Sequence, residues 1–374
     1  MNIPSAENAT QWKEWLTERL KTRKDYRDEI KALIAPYRFM VFYGFGRNIE
    51  SVTKTWNTTM DRKIDFYCDS DSAKWGKNLH GVPCISPEEL MKIKDQCAVF
   101  VAIGNYRPVF DSLVKAGLPC VNVIYQPNLD DAEELASPAP EELASRFFSV
   151  REILADERSV SVFNAILTRF LENGRNHATM ERVHEADQYF PPGVIKLSDC
   201  EAFADIGAFD GDTIRDFLRR TQGKFERIYA FELNRINFSR LQENVREFPG
   251  ASRIRLFNVG AWDSECEITY NEGGTGSTVG SGETKGRVLP LDKALKGEKV
   301  TLLKMDIEGA EPNALRGAQN LILTQKPKLA VCIYHNTRHL WEIPLYLKRL
   351  VPDYKIYLRH HTTLWNETVC YAVV

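Results

Sequence analysis

Short apolar runs alternate with polar, helix-like stretches along most of the chain. Between residues 36 and 128 the apolar runs are FMVFYGFG, KIDFYCDSD, AVFVAIGN and CVNVIY. A second series contains EAFADIGAFDGDT, RIYAFELN, RIRLFNVGAWD, VTLLKMDIEGAE and KLAVCIYH. Buried strands that alternate with helices are typical of parallel βα sheets. The pattern therefore predicts two α/β domains, at residues 36–128 and 191–374.

The other segments predict helices and a linker. Residues 1–35 carry apolar side chains at irregular helical spacing among dense charges, which indicates an amphipathic lead-in helix. Residues 129–190 begin with an acidic, proline-bearing linker and continue as helical segments up to YFPPG. We therefore expect a helical connection between the two sheet domains.

The end of the second series discriminates between fold classes. It consists of two strand-like runs, YKIYLRH and TVCYAVV, joined by HTTLWNE. So short a connection makes the two strands antiparallel, whereas a dinucleotide-binding sheet continues with parallel βα units. The predicted fold class is α/β: a class I methyltransferase sheet, mostly parallel with a C-terminal antiparallel hairpin, plus a smaller N-terminal Rossmann-like domain.

Composition and charge leave the partner open. A formal charge of −2 over 374 residues gives no bulk attraction for nucleic acid or anionic membranes. The chain shows neither a signal-peptide pattern nor eighteen consecutive apolar residues, so we expect no membrane span and a cytoplasmic location. Eight cysteines without a CxxC pair predict core thiols in a reducing compartment. A homo-oligomer is compatible with all of this.

The first turn of the second series carries glycines and acids. In FADIGAFDGDT a strand ends at Asp205, and Gly207 and Gly211 let the backbone turn tightly beside a ligand. Asp205, Asp210 and Asp212 would repel a phosphate but suit a sulfonium and an ammonium group. The alternative is that these acids only cap the following helix.

Glu232 ends the next strand, where a carboxylate can accept hydrogen bonds from both ribose hydroxyls. Together with the acidic turn, this position favours S-adenosyl-L-methionine over NAD as the cofactor. A merely solvated Glu232 is the alternative.

Five segments together resemble the FkbM-type methyltransferases: ADIGAFDGDT, YAFELNRINFSRLQENV, NVGAWDSECEITY, LLKMDIEGAEPNALRGA and RHHTTLWNETVCYAVV. The resemblance covers residues 187–374. It implies an S-adenosyl-L-methionine-dependent O-methyltransferase that acts on a sugar hydroxyl of a glycan or glycan precursor, as in polysaccharide biosynthesis. The competing hypothesis is a non-catalytic nucleotide-sugar-binding or scaffolding protein with two Rossmann-like domains.

The resemblance also implies a set of cofactor contacts in the first turn, at the end of the second strand and in the loop after the third. These residues are Asp205, Gly207, Ala208, Gly211, Thr213, Glu232, Gly260 and Ala261. The third strand ends in Asn258, where many class I enzymes carry an acid, so the adenine contact stays open.

The fourth strand ends in charged residues, in LLKMDIEGAE. Asp306 and Glu308 are two residues apart in an extended segment, so they can share one face at the mouth of the sheet. Methyl transfer to a hydroxyl requires alignment and removal of a proton. We predict that His335, at the end of the fifth strand, and Glu308 are the leading bases and that Asp306 orients the substrate.

Two other charges of this segment have simpler explanations, and a metal is not required. Glu311 precedes Pro312 and suits a helix start, and Lys304 is expected to pair with Asp306 or Glu232. We predict no metal site. A divalent ion bound by Asp306, Glu308 and His335 is the alternative, since carboxylate and imidazole are suitable ligands.

The N-terminal domain and two polar segments give weaker indications. After the first strand come Gly44, Gly46 and Arg47, and Asp69 ends the second strand, as in an incomplete dinucleotide-binding pattern. The run FYCDSDSAKWGKNLHGVPCISPEEL resembles Rossmann-like domains of sugar-modifying enzymes, which implies a nucleotide-sugar partner or a purely structural role. Residues 270–286 could form a substrate-side loop. Residues 359–361 are either a solvated turn or an anion contact.

Overall fold

The computed structural model describes residue 3 and the ranges 9–23, 25–46, 49–124, 138–172, 178–270, 282–364 and 366–374. The chain divides into two compact units. The first comprises Met1–Pro4, Glu14–Glu141 and Leu167–Thr179, and the second comprises Ser5–Lys13, Glu142–Ile166 and Met180–Val374. Arg47 and most of the linker and of the 270–286 loop lie outside the described residues.

The described part of the first unit contains a six-stranded sheet in the order β3-β4-β2-β1-β5-β6. All neighbouring strands are parallel except β3 and β4, which are antiparallel. Strand β5 is buried along its whole length, as expected for a parallel strand covered on both faces. The strands are β1 Phe39–Tyr43, β2 Phe66–Cys68, β3 Asn78–Leu79, β4 Val82–Ile85, β5 Cys97–Val101 and β6 Cys120–Val123.

Two of the helices before residue 124 begin at residues whose side chains cap them. The lead-in segment forms two helices, Ala9–Thr22 and Tyr26–Ile34, rather than one, because Asp25 caps the second by accepting a hydrogen bond from Arg27 N. Ser86 and Glu89 form a capping box at the start of the helix Pro87–Lys92. The remaining helices are Ile49–Met60, Pro87–Lys92 and Arg107–Lys115, with 3₁₀ turns at Ser72–Lys74 and Lys94–Gln96.

The second unit contains a seven-stranded sheet in the order β15-β16-β14-β13-β7-β8-β9. Strand β16 runs antiparallel to both β14 and β15, and the other neighbours are parallel. The predicted large sheet, mostly parallel with a C-terminal antiparallel hairpin, is therefore confirmed. The strands are β7 Ala202–Ile206, β8 Arg227–Phe231, β9 Ile254–Phe257, β13 Leu302–Met305, β14 Lys328–Cys332, β15 Lys355–His360 and β16 Thr368–Val373.

A three-stranded sheet lies between β9 and β13 in the chain, in the order β10-β12-β11. Strand β12 pairs in parallel with β10 and antiparallel with β11. Its strands are β10 Gly260–Ala261, β11 Cys266–Tyr270 and β12 Thr284–Leu289. The strands on either side of residues 271–283, β11 and β12, therefore form an antiparallel pair.

Helices of the second half cover the large sheet. Phe217 and Leu241, from two of them, pack in one core cluster with Phe203 and Ile228 of the sheet. The helices after residue 139 are Pro140–Ile153, Glu157–Leu171, Ala178–Glu181, Asp212–Arg220, Arg235–Val245, Leu291–Ala294, Glu311–Arg316, Gln319–Gln325 and His339–Leu350, with a 3₁₀ turn at Ala251–Arg253.

Residues 359–361 are not a solvated turn, because Arg359 and His360 belong to strand β15 and are buried. Arg359 is buried and pairs with Asp156 at 2.7 Å and Glu185 at 2.9 Å, and His360 is fully buried. The Nε2 atom of His361 lies 2.9 Å from the hydroxyl of Tyr371. These residues are therefore occupied by partners within the fold.

The cysteines are all free thiols, and six of the eight are buried while Cys200 and Cys266 are exposed. The expectation that they are core residues is therefore right for six of them. Among the described residues, every helix is too short or too polar to cross a membrane.

Candidate active site

The turn after β7 is built around Gly207. Its φ of +83° lies in the left-handed region, and a Cβ atom there would stand 2.0 Å from the carbonyl oxygen of Asp306. The N–H groups of Gly207 and Ala208 both donate to the carbonyl oxygen of Phe231, at 3.0 and 2.9 Å. Glycine is therefore required where the turn is held between the ends of β8 and β13.

The start of the following helix supplies two more predicted cofactor residues. Gly211 has a φ of +90° and directly precedes the helix Asp212–Arg220. Thr213 lies in the first turn of that helix and is buried. Both residues thus lie at the carboxyl end of β7, together with Gly207 and Ala208.

Glu232 closes this turn from the neighbouring strand end. Its carboxylate accepts hydrogen bonds from the N–H groups of Phe209, at 2.9 Å, and Asn234, at 2.7 Å. Burial raises the pKa of Glu232, and the two N–H donors oppose that shift. Each carboxylate oxygen has a second lone pair, so the group can still accept a bond from a ligand hydroxyl.

Asp205 and Lys304 form a buried ion pair across β7 and β13. They are register partners, and Lys304 Nζ lies 3.0 Å from Asp205 Oδ1 and 2.6 Å from the carbonyl oxygen of Gly207. The expected pairing of Lys304 with Asp306 or Glu232 is therefore wrong. Burial raises the pKa of Asp205 to about 6, and Lys304 opposes this shift. Burial lowers the pKa of Lys304, but Asp205 and Asp306 outweigh it and raise the value.

The two residues predicted near the adenine lie in a strand rather than a loop. Gly260 and Ala261 form β10 and pair with β12. The side-chain amide of Asn258 donates to the carbonyl oxygen of Glu232 at 2.8 Å, so it stabilises the loop after β8. Asn258 thus links the ends of β8 and β9.

Asp306 follows β13, and its carboxylate accepts hydrogen bonds from two tyrosine hydroxyls. Tyr189 Oη donates to Oδ2 at 2.6 Å, and Tyr334 Oη donates to Oδ1 at 3.3 Å. Burial alone would raise the pKa of Asp306, but Lys304 and His335 hold it below its ordinary value. This side chain is therefore an ionised acceptor.

His335 lies between carboxylates on both sides of its ring. Its Nδ1 is 2.8 Å from Glu311 Oε1, and its Nε2 is 3.3 Å from Asp306 Oδ1 and 3.5 Å from Glu308 Oε2. Burial lowers the pKa of His335, but Glu311 and Asp306 outweigh that effect and raise it to about 9. The structure thus brings all three predicted catalytic residues together.

Glu308 and Glu311 differ in exposure and in role. Glu308 has a φ of +56° and a side chain that is 37% exposed, and burial raises its pKa to about 7. Glu311 begins a helix as predicted, but it is fully buried and also accepts a bond from Ile307 N at 2.9 Å. Burial would raise the pKa of Glu311, and His335 holds it below its ordinary value.

Tyr189, Tyr334, Gln188 and Glu367 belong to the same site, and the sequence interpretation did not assign them a role. Gln188 donates to Glu367, whose pKa is raised by burial and by Asp306. Tyr189 and Glu367 have φ values of +68° and +67°. Strained backbone of this kind concentrates at functional sites. The segments YFPPG and ETVCYA contain or adjoin Gln188, Tyr189 and Glu367, but their spacing gives no sign of the contact.

The site therefore has two adjoining parts at the carboxyl ends of the central strands, where open α/β sheets bind ligands. The first part, at β7 and β8, contains Gly207, Glu232 and the Asp205–Lys304 pair. The second, at β13 and β14, contains Asp306 and His335. Such an arrangement can hold a cationic ligand in one part and a proton-losing group in the other.

Comparison with known proteins identifies a family for this part of the chain. Residues 205–361 match the sequence model described as "Methyltransferase FkbM domain". No curated protein sequence matches the chain. The expectation of an FkbM-type domain in the C-terminal half is confirmed.

One solved structure agrees in fold over nearly the whole chain, and others match about half of it with low TM-scores. The methyltransferase FkbM of Methylobacillus flagellatus KT is 24% identical with a TM-score of 0.77, and the match covers 98% of this chain and 100% of that one. An rRNA methylase from Streptococcus thermophilus has a TM-score of 0.32 at 15% identity, covering 48% of this chain and 90% of that one. The fibrillarin of Aeropyrum pernix has a TM-score of 0.31 at 14% identity, covering 48% and 70%.

Proposed function

We propose that this protein, whose residues 205–361 form an FkbM methyltransferase domain, transfers the methyl group of S-adenosyl-L-methionine to a sugar hydroxyl of a glycan or glycan precursor. One observation carries the proposal. The glycine turn at Gly207, which a carboxylate and a buried ion pair hold in place, directly adjoins the carboxylates around His335.

The cofactor half of the proposal uses the turn after β7. Backbone of Gly207, Ala208 and Gly211 can approach a ligand closely, because side chains are absent or small there. Glu232 can accept the ribose hydroxyls beside its two backbone donors. Lys304 neutralises Asp205, but Asp210, Asp212 and Glu232 keep the turn acidic, which favours a sulfonium over a phosphate. Thr213, Gly260 and Ala261 complete the proposed cofactor set, and Asp205 contributes through the turn that it anchors.

The acceptor half uses the end of β13. In the reaction the hydroxyl oxygen attacks the methyl carbon, the S–CH₃ bond breaks, and the sulfonium becomes a neutral thioether. The hydroxyl proton must pass to a base. Both nitrogens of His335 face carboxylates, so both are engaged and neither is placed to take the acceptor proton. We therefore assign the base to Glu308, which is half-exposed, and substrate orientation to Asp306.

The proposal is tested by incubating the full chain with S-adenosyl-L-methionine carrying a labelled methyl group and a panel of sugars and nucleotide-sugars. Label recovered on a sugar oxygen, and lost in the Glu308→Gln variant, supports it. Label on nitrogen or carbon would contradict the hydroxyl assignment, and no transfer to any sugar would contradict the acceptor class.

A second candidate, nucleotide-sugar binding by the first unit, is favoured by the surroundings of Asp69. Its carboxylate accepts bonds from Phe45 N at 2.7 Å and Lys74 Nζ at 2.9 Å, and its carbonyl accepts one from Trp75 Nε1 at 2.8 Å. Trp75 is 43% exposed, so its ring could stack on a base or sugar. A rise in melting temperature with UDP-sugars, absent in the Trp75→Ala variant, would support this candidate.

The proposal places the reaction in the cytoplasm. Eight free thiols, two of them exposed, fit a reducing compartment.

A further inference from the structure

We infer that Asp306 and His335 bind a divalent cation, that Glu311 orients the imidazole from behind, and that the ion takes the acceptor hydroxyl as a further ligand. The site itself depends on the side chains alone. The role of the hydroxyl rests on the proposed function.

The donor atoms are close enough for one ion. One donor atom from each of Asp306, Glu311 and His335 lies within 4.8 Å of the others. The decisive distance is the one between His335 Nε2 and Asp306 Oδ1, which is 3.3 Å. Two ligand atoms bonded to one ion at about 2.1 Å, roughly at right angles, lie about 3 Å apart. An ion can therefore sit between these two atoms with little rearrangement.

Glu311 supplies the support that a metal-binding histidine normally has. A carboxylate on the other ring nitrogen fixes the tautomer and raises the basicity of the ligand nitrogen. Here Glu311 Oε1 lies 2.8 Å from His335 Nδ1, and its side chain is completely buried. Because Nδ1 is engaged in this way, Nε2 is directed toward Asp306.

The second oxygen of Glu311 has little support of its own. Among the described residues, Glu311 Oε2 is buried and accepts no hydrogen bond. Its neighbour is Nδ1 of His339 at 3.5 Å, a distance at the outer limit for a hydrogen bond. A cation bound to His335 would add positive charge in front of this buried carboxylate.

Carboxylates converge on the ring of His335. Asp306, Glu308 and Glu311 each have an oxygen within 3.5 Å of one of its nitrogens. The neighbouring cation, Lys304, is held by Asp205 and by a backbone carbonyl. Buried charges are costly unless they are paired. A divalent ion would add positive charge where Asp306 and Glu308 face the ring.

The ligands indicate the kind of ion. One carboxylate and one imidazole, with open positions toward the partly exposed side of the site, suit Mn²⁺ or Mg²⁺, which commonly keep waters and substrate oxygens as ligands. A hydroxyl bound to such an ion is more acidic. Its proton passes to the carboxylate of Glu308, as in the reaction proposed above, so the balance of atoms and charges is unchanged.

The inference is tested by titrating Mn²⁺ into metal-free full-length protein, without cofactor or acceptor, and counting free Mn²⁺ by electron paramagnetic resonance. We expect one Mn²⁺ per chain. Asp306→Asn and His335→Gln should weaken binding at least tenfold, and Glu311→Gln about 10- to 100-fold. Glu201→Gln is the matched control, because Glu201 is a buried acid at the other end of β7, and it should bind as the wild type does.

Two results would overturn the inference: no Mn²⁺ bound at millimolar concentration, or unchanged binding in folded Asp306→Asn and His335→Gln variants. Should these variants fail to fold, spin-echo spectroscopy of Mn²⁺ on the wild type decides. Coupling to a directly bound imidazole nitrogen supports the site, and its absence contradicts it.

A parallel titration with S-adenosylhomocysteine separates this inference from the proposed function. If S-adenosylhomocysteine binds and Mn²⁺ does not, the cation site is wrong and the proposed function stands. If Mn²⁺ binds at these residues and S-adenosylhomocysteine does not, the site is right and the proposed function fails.

Discussion

Lys304 Nζ lies 3.0 Å from Asp205 Oδ1, between the two central strands of the large sheet, with both side chains almost completely buried. The same ammonium group donates to the carbonyl oxygen of Gly207. One cation therefore neutralises an acid in the sheet interior and holds the turn where the cofactor is proposed to bind. The Asp205–Lys304 pair therefore contributes both to the stability of the fold and to the shape of the proposed cofactor site.

Replacing Lys304 by methionine should lower the free energy of unfolding by about 3–5 kcal/mol, because Asp205 would be left buried without its partner. Urea denaturation of the variant measures this. Lys285→Met is the matched control, since Lys285 pairs with Glu267 on the surface, and it should have little effect. Equal losses in the two variants would show that the buried pair has no special weight.

Replacing Gly207 by alanine should cost about 1–3 kcal/mol more than replacing Gly297 by alanine. Both glycines have positive φ values, +83° and +78°, so the backbone penalty is shared. A Cβ at Gly207 meets the carbonyl of Asp306 at 2.0 Å, whereas a Cβ at Gly297 meets nothing within 4 Å. Thermal or urea unfolding of the two variants gives the difference. Identical values would contradict the close approach of this turn to β13.

Replacing Glu308 by glutamine should reduce kcat about 10²- to 10⁴-fold while leaving the affinity for S-adenosylhomocysteine within a few-fold of the wild-type value. The reason is that a positioned base contributes about this much to proton transfer, and Glu308 lies outside the cofactor half. Steady-state rates and calorimetry provide the two numbers. If kcat hardly changed, Glu308 would not be the base.

Glu201 should contribute stability that depends on pH. Burial raises its pKa, but Lys328 and Thr301 outweigh this and hold it below the ordinary 4.5. A group whose pKa is lowered by folding stabilises the protein above its unfolded pKa and loses that effect as the pH falls through the folded value. Urea denaturation should therefore show that Glu201→Gln costs most near neutral pH and progressively less below pH 4.5. A cost that is the same at pH 3 and pH 7 would refute this assignment.

Most of the large sheet could be predicted from the sequence, because its strands are short buried runs in a βα series. The decisive feature was the pair of strand-like runs at the end, which turned out to be β15 and β16, antiparallel as expected. The lead-in segment was read as one helix because its apolar spacing continues past residue 22. The cap at Asp25 ends that continuity.

The candidate site was predictable where its residues follow strands. Asp306, Glu308 and His335 follow the ends of the neighbouring strands β13 and β14, so their meeting follows from the topology. Glu308 lies in a turn, with a φ of +56°, rather than in the extended segment that was expected. The partner of Lys304 was predicted wrongly, because a sequence does not reveal which residues face each other across two strands. Glu367 and Tyr189 were missed for a similar reason, since chain segments far apart in sequence bring them to Asp306.

The central claim is that the turn after β7 binds S-adenosyl-L-methionine. Its most direct test is calorimetric titration of S-adenosylhomocysteine into the intact protein, wild type and Glu232→Gln, with folding checked by circular dichroism. We predict one site per chain in the wild type and at least tenfold weaker binding in the variant. No binding to the folded wild-type protein, or equal binding by both proteins, would contradict the claim.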